Sequence, residues 1–197
     1  MKRFNHFDLL APYYDRFLQP EHLVRFEERV GLPVSGLLLD AAGGTGGKSH
    51  PLLKMVSAIV VADSSMGMVN QASKKAGLIA VCSETEHLPF ANGSFERIMM
   101  VDALHHVSNY LATTKELWRI LKVGGRIVIE EPNIRSFSVK LMAVVEKLAL
   151  MRSHFKSPAD IAAAFVAPNA EVSIEVDNST AWIVISKLAN ENTPKNY

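Results

Sequence analysis

The stretch Leu37-Leu38-Leu39-Asp40-Ala41-Ala42-Gly43-Gly44-Thr45-Gly46 constrains this chain more than any other. An apolar run of strand character ends in an acid and turns at once into a glycine-rich loop. Glycines remove the side chains that would keep a flat ligand off the backbone. In an α/β chain this arrangement stands at the carboxyl end of the first parallel strand, where nucleotide-type cofactors bind.

Several ligands fit such a loop. Read as Ala42-Gly43-Gly44-Thr45-Gly46-Gly47-Lys48-Ser49, it misses the phosphate-loop pattern G-x-x-x-x-G-K-[ST] only at Ala42. A P-loop NTPase is therefore one alternative, with Ile98-Met99-Met100-Val101-Asp102 as its magnesium-holding strand. The acids argue against it. Asp40 opens the loop and Asp63 ends the next apolar strand, Ala58–Asp63. Two neighbouring carboxylates repel a polyphosphate but suit a ligand carrying an ammonium group and a ribose diol, as S-adenosylmethionine does. NAD is disfavoured because Ala42 fills the first glycine position of G-x-G-x-x-G. A ligand-free turn is the plainest alternative.

The motifs then fall into a known order. Phe7-Asp8-Leu9-Leu10-Ala11-Pro12-Tyr13-Tyr14-Asp15 is followed by the A-G-G-T-G loop, then Asp63-Ser64-Ser65-Met66-Gly67-Met68 and Glu84-Thr85-Glu86-His87-Leu88-Pro89-Phe90. Asn92-Gly93-Ser94-Phe95-Glu96 and Leu121-Lys122-Val123-Gly124-Gly125-Arg126 complete the series. On these the chain resembles a class I S-adenosylmethionine-dependent methyltransferase, closest to the ubiquinone/menaquinone C-methyltransferase group. Glu84 stands where the pattern more often has Asp, and Val123 replaces a proline. The resemblance implies a Rossmann-like, doubly wound, mostly parallel seven-stranded sheet that ends in an antiparallel pair. It also implies S-adenosylmethionine as cofactor and S-adenosylhomocysteine as product.

Composition sets outer bounds. A length of 197 residues suits one domain with a full core. With 21 basic and 20 acidic residues the net charge is +1, which gives no sign of a nucleic-acid partner. Met1-Lys2-Arg3 leads into mixed polar and aromatic residues rather than a signal peptide, and no apolar run reaches spanning length. The lone Cys82 cannot pair internally, which fits the cytoplasm; it reads as a small buried residue. Peripheral membrane contact stays open.

Apolar runs alternating with amphipathic segments predict strands at Leu37–Ala41, Ala58–Asp63, Leu78–Cys82, Arg97–Val101 and Arg126–Glu130. Helices are predicted at Glu21–Val30, Ser49–Met55 (with Ser49 as N-cap), Met66–Ala76 and Tyr110–Leu121. Glu171–Val176 and Thr180–Ser186 form the final pair. The single domain 1–197 divides into an N-terminal lid (1–30), a cofactor core (35–131), a substrate lid (132–165) and the terminal pair (171–187). Within the lid, Ser136–Met151 carries apolar residues at helical spacing.

The resemblance assigns cofactor contacts to Tyr14, Asp40, Ala42, Gly43, Gly44, Gly46, Asp63, Ser64, Met68, Glu84, Thr85, Val101, Asp102 and His106. Asp40 is expected near the amino group, Asp63 on the ribose hydroxyls and Glu84 on the adenine amine, with Met68 and Leu88 walling the ring. His105 or His106 is the candidate base, since imidazole titrates near neutrality; His154 is a further candidate. Tyr13 and Tyr14 are candidate lid rings. No metal ligand is read. The acceptor is a small molecule, with a quinone-precursor ring carbon first among the choices. A protein that binds the cofactor without turnover is the remaining alternative.

Overall fold

A computed structural model describes residue 8 and residues 11–17, 23–133, 154–177 and 180–189. Seven strands form one sheet: β1 (Leu37–Ala41), β2 (Ala58–Asp63), β3 (Leu78–Cys82), β4 (Phe95–Val101), β5 (Leu121–Pro132), β6 (Ala170–Asp177) and β7 (Thr180–Lys187). Their order is β3-β2-β1-β4-β5-β7-β6. β1 to β5 are parallel neighbours, and β7 lies antiparallel between β5 and β6. The predicted fold is the one found.

The pleat explains why both faces are covered. Leu39, Ile98, Met100, Ile127 and Ile129 pack on one face with Leu117 and Ile120 of helix α3 (Tyr110–Ile120) and Ile161 of helix α4 (Pro158–Ala163). Their strand neighbours Leu38, Met99 and Val128 point the other way, onto Phe26 and Val30 of helix α1 (Leu23–Val30) and Ala72 of helix α2 (Met66–Ala72). Strands buried on both sides read as continuous apolar runs, which is what these segments are.

Several predicted boundaries are corrected. Residues His50–Met55 form a 3-10 helix, and Ser49 makes no capping bond; its hydroxyl donates to the Gly46 carbonyl at 3.4 Å instead. Helix α2 stops at Ala72, four residues early. β5 starts at Leu121, because a register shift between Phe95 and Arg97 lets Leu121 pair with Phe95 across the glycines. Helix α4 was not foreseen. Cys82 is exposed, since β3 is an edge strand. The segment Ser136–Met151 and the tail Asn190–Tyr197 lie outside the described residues.

The topology fixes where a ligand can sit. Strand order reverses between β1 and β4, so their carboxyl ends splay apart and leave a crevice. The glycine loop, Asp63 and Asp102 all leave the sheet at that edge.

Candidate active site

A cavity of about 270 Å³ occupies this crevice. The exits of the parallel strands supply its wall: Asp40 and the loop from β1, Asp63, Ser64 and Met68 from β2, Ser83 to Glu86 from β3, and Val101 to Ala103 from β4. Tyr14 and His106 complete it.

The loop is built around two acids. Asp40 is buried, and its Oδ2 has no hydrogen-bond partner. Burial pushes its carboxyl up to about 6; the Ser49 hydroxyl and the Lys48 charge offset part of that rise. Asp63 is turned onto the loop. Its Oδ2 accepts the Gly44 amide at 2.9 Å and its Oδ1 accepts the Ser65 amide at 2.8 Å. Burial still holds Asp63 above the usual carboxylate range.

Two further acids fasten the N-terminal segment. Asp8 Oδ1 accepts from the Ser65 hydroxyl at 2.5 Å and the Gly67 amide at 2.9 Å, fixing the start of α2. Asp15 accepts from the Thr45 hydroxyl and, at 2.7 Å, from Lys75 Nζ. The same ammonium donates to the Thr45 carbonyl at 2.8 Å. The segment that carries Tyr14 is thereby tied to the glycine loop. The motif match found these acids without giving either a task.

On the far side, Asp102 follows β4 at φ 51°, a left-handed conformation. Its Oδ2 accepts from Lys48 Nζ at 2.7 Å. Beyond it, a 3-10 turn (Leu104–His106) sends its two histidines to different places. His106 lines the cavity, and burial, with His105 adding, holds its imidazole down at about 4. His105 is set back in the core. Its Nδ1 lies 2.6 Å from Glu131 Oε2, and its ring stacks on Phe155 at a centroid distance of 4.5 Å. Glu131 Oε1 accepts from the Ala103 and Leu104 amides at 3.0 and 2.7 Å.

Of the sequence-predicted residues, five fall away from the cavity. His105 is one. Gly46 is another: at φ 69° it closes the loop, with no room for a side chain against Leu78 and Val61. Leu88 belongs to the core under α3. Tyr13 is exposed and stands off the wall. His154 is exposed, and its amide donates to the His105 carbonyl at 2.6 Å. Sequence reasoning missed Ser83, Glu86, Ser108 and Lys48 as lining residues. Lys48 was visible only as a phosphate-loop lysine.

That phosphate-loop alternative finds no support. The Gly43, Gly44 and Gly46 amides are donated to Ala62, Asp63 and Gly43 oxygens, and the lysine is engaged by Asp102. Five carboxyl groups, of Asp40, Asp63, Glu84, Glu86 and Asp102, line the wall. A triphosphate would meet repulsion where it needs donors.

Fold and site together define a doubly wound α/β protein with a nucleoside-cofactor crevice, and comparison with known proteins narrows the class. A family described as "Methyltransferase domain" matches residues 39–129. The demethylmenaquinone methyltransferase of Corynebacterium urealyticum is 31% identical over 171 residues, which cover 85% of this chain and 70% of that protein. Against two other relatives of that name the match spans only 43% and 50% of their length. Among solved structures, an S-adenosylmethionine-dependent methyltransferase from Thermotoga maritima superposes with a TM-score of 0.74 at 20% identity, covering 92% of this chain and 97% of that one. DhpI in complex with S-adenosylhomocysteine superposes with a TM-score of 0.69 at 16% identity, covering 94% and 95%. At such identities these two speak for the fold alone. The chain belongs to the S-adenosylmethionine-dependent methyltransferase family. The buried, unpartnered oxygen of Asp40, a lining residue of the cavity, fits that cofactor.

Proposed function

We propose that this chain transfers the methyl group of S-adenosylmethionine to a ring carbon of a small quinol-type acceptor. Asp40 carries the cofactor half of the reading. A buried carboxyl oxygen without a partner is costly, and a ligand ammonium at the loop's mouth relieves that cost. Asp63 keeps a lone pair on each oxygen after accepting two amides, enough for a ribose diol. Glu84 serves the adenine amine, Met68 packs on the ring, and Tyr14 closes the mouth.

The cofactor supplies a methyl group already activated by a sulfonium. What the chain contributes is alignment, exclusion of water and a place for a proton. His106 is neutral at pH 7 and so has a lone pair for that proton, though at about 4 it is a weak base. The acceptor class is taken from the relative named for demethylmenaquinone. Residues 1–197 act as one domain, with the cofactor core at 35–131. The exposed thiol of Cys82 suits a reducing cytoplasm. Among the described residues no helix is long and apolar enough to cross a membrane.

Calorimetric titration with S-adenosylhomocysteine, beside ATP with magnesium, tests the cofactor half. The expected result is binding of the first and no heat from the second, with Asp63→Ala at least about tenfold weaker. Binding of ATP alone overturns the reading. Transfer of a labelled methyl group to a reduced naphthoquinone tests the acceptor half.

A further inference from the structure

Lys48 is the side chain of the glycine loop that the cofactor reading leaves without a task. It is the only Lys or Arg on the cavity wall among the described residues, and it reaches across to Asp102 at 2.7 Å. Both groups line the cavity, Lys48 from the loop after β1 and Asp102 from the exit of β4.

Stability does not account for the pair. The two side chains are 35% and 46% exposed, and ion pairs so open to water add little. Asp102 also stands at φ 51°, in the left-handed region that L-residues other than Gly seldom adopt. Strain of this kind persists where a site requires it.

The pair has a chemical preference. A ligand ammonium gains Asp102 but meets Lys48. A ligand carboxylate gains Lys48 but meets Asp102. A hydroxyl donates and accepts at once, so it can enter between them: its O–H is given to Asp102 while its oxygen accepts from Lys48. Negative charge on that oxygen is then held by the ammonium. Tyr14 and Glu130 are the other groups that act on Lys48.

We propose that Lys48 and Asp102 form the acceptor-selecting pair, receiving a phenolic or enolic hydroxyl between them. The proposal rests on the methyltransferase reading above and names the acceptor chemistry of that site. It also gives the loop lysine a task on the acceptor rather than on a phosphate.

The test uses the full chain saturated with S-adenosylhomocysteine. Naphthohydroquinone (kept reduced), its dimethyl ether, naphthylmethylammonium and naphthoate are titrated by ligand-observed NMR. The expected order places the hydroquinone at least about tenfold tighter than the other three. Lys48→Met and Asp102→Asn should each weaken it by about tenfold and leave the ether unchanged. S-adenosylhomocysteine affinity of Lys48→Met should stay within about twofold, which also reports that the variant is folded. A tenfold loss of S-adenosylhomocysteine affinity in Lys48→Met overturns the proposal, because the lysine then serves the cofactor. So does an ether, ammonium or carboxylate probe that binds as tightly as the hydroquinone, or a hydroquinone that does not bind at all. Failure of the unaltered chain to bind S-adenosylhomocysteine is a separate result, which sinks the cofactor reading and this proposal with it.

Discussion

The carboxyl of Asp40 lies directly against Gly43: a β-carbon on that glycine would stand 2.3 Å from Asp40 Cγ and 2.5 Å from Oδ2. Gly43 is not among the residues at positive φ, so the site needs its empty space and not its conformational freedom. The glycine leaves the room in which the acid sits beside the cavity.

Gly43→Ala should therefore push the carboxyl out of place. The expected cost is about 1–3 kcal/mol of stability, the range for overpacking a filled site. Affinity for S-adenosylhomocysteine should fall at least about tenfold, since the displaced acid is the proposed ammonium partner. Thermal melts and calorimetry read the two effects. Unchanged affinity would remove Asp40 from the ligand site.

Asp40 also sets a pH dependence. Its carboxyl stands at about 6, against an ordinary 3.8, because burial disfavours the charge. The folded chain then holds the proton more tightly than the unfolded one. The stability this confers is full below pH about 4 and is lost as pH rises through about 6. Glu130, pushed up to about 7 by burial and then by Asp102, carries the same loss toward neutrality. His106, held down at about 4, acts the other way: its contribution is present above 6.5 and lost as pH falls through 4. Asp40→Asn should gain on the order of 3 kcal/mol at pH 7.5 and little at pH 4 in the ligand-free protein. Denaturant unfolding at the two pH values checks this, and an equal gain at both would refute it. In the unaltered protein, affinity for S-adenosylhomocysteine should weaken from pH 7 to pH 5, because Asp40 must release its proton to meet the ammonium.

How far the sequence carried depends on what each signal encodes. β1, β2 and β3 were read to the residue because each is an apolar run with sharp ends, and the carboxyl end of a parallel strand is where the site lies. β5 was cut short because its early pairing with β4 runs through Gly124 and Gly125, which look like a turn. Helix α4 had a readable signal, the Ser157–Asp160 capping box with Pro158 in the first turn. What no local pattern could give is direction. His105 and His106 are chemically identical neighbours, and only the turn's geometry buries one and exposes the other to the cavity. The exposure of Cys82 likewise follows from strand order, a long-range property.

Ala42 follows β1 at φ 53°, where a β-carbon is unfavourable. Ala42→Gly should relieve that strain. The added freedom of glycine in the unfolded chain returns part of the gain. The net expectation is a stabilisation of roughly 0.5–1 kcal/mol, about 1–4 °C in Tm for a chain of this size. Differential scanning calorimetry measures it. A fall in Tm would mean that the methyl group's packing outweighs the backbone strain.

Glu131 holds the turn that presents His106. One of its oxygens accepts two backbone amides, and the other lies against His105 Nδ1. Glu131→Gln keeps the shape but turns one acceptor into a donor; its oxygen keeps the two amides when its NH2 faces His105, whose Nδ1 must then accept as the other tautomer. Replacing the charged acceptor of two buried amides by a neutral one and changing the His105 tautomer costs about 1–3 kcal/mol, so Tm should drop by roughly 2–12 °C. Ala103 and His106 both lie on the cavity wall, whereas Asp40 and Asp63 sit on other strands. The variant should therefore lose methyl-transfer rate several-fold at saturating cofactor while binding S-adenosylhomocysteine nearly as before. An equal loss in both would show that Glu131 supports the whole crevice and not the histidine turn alone.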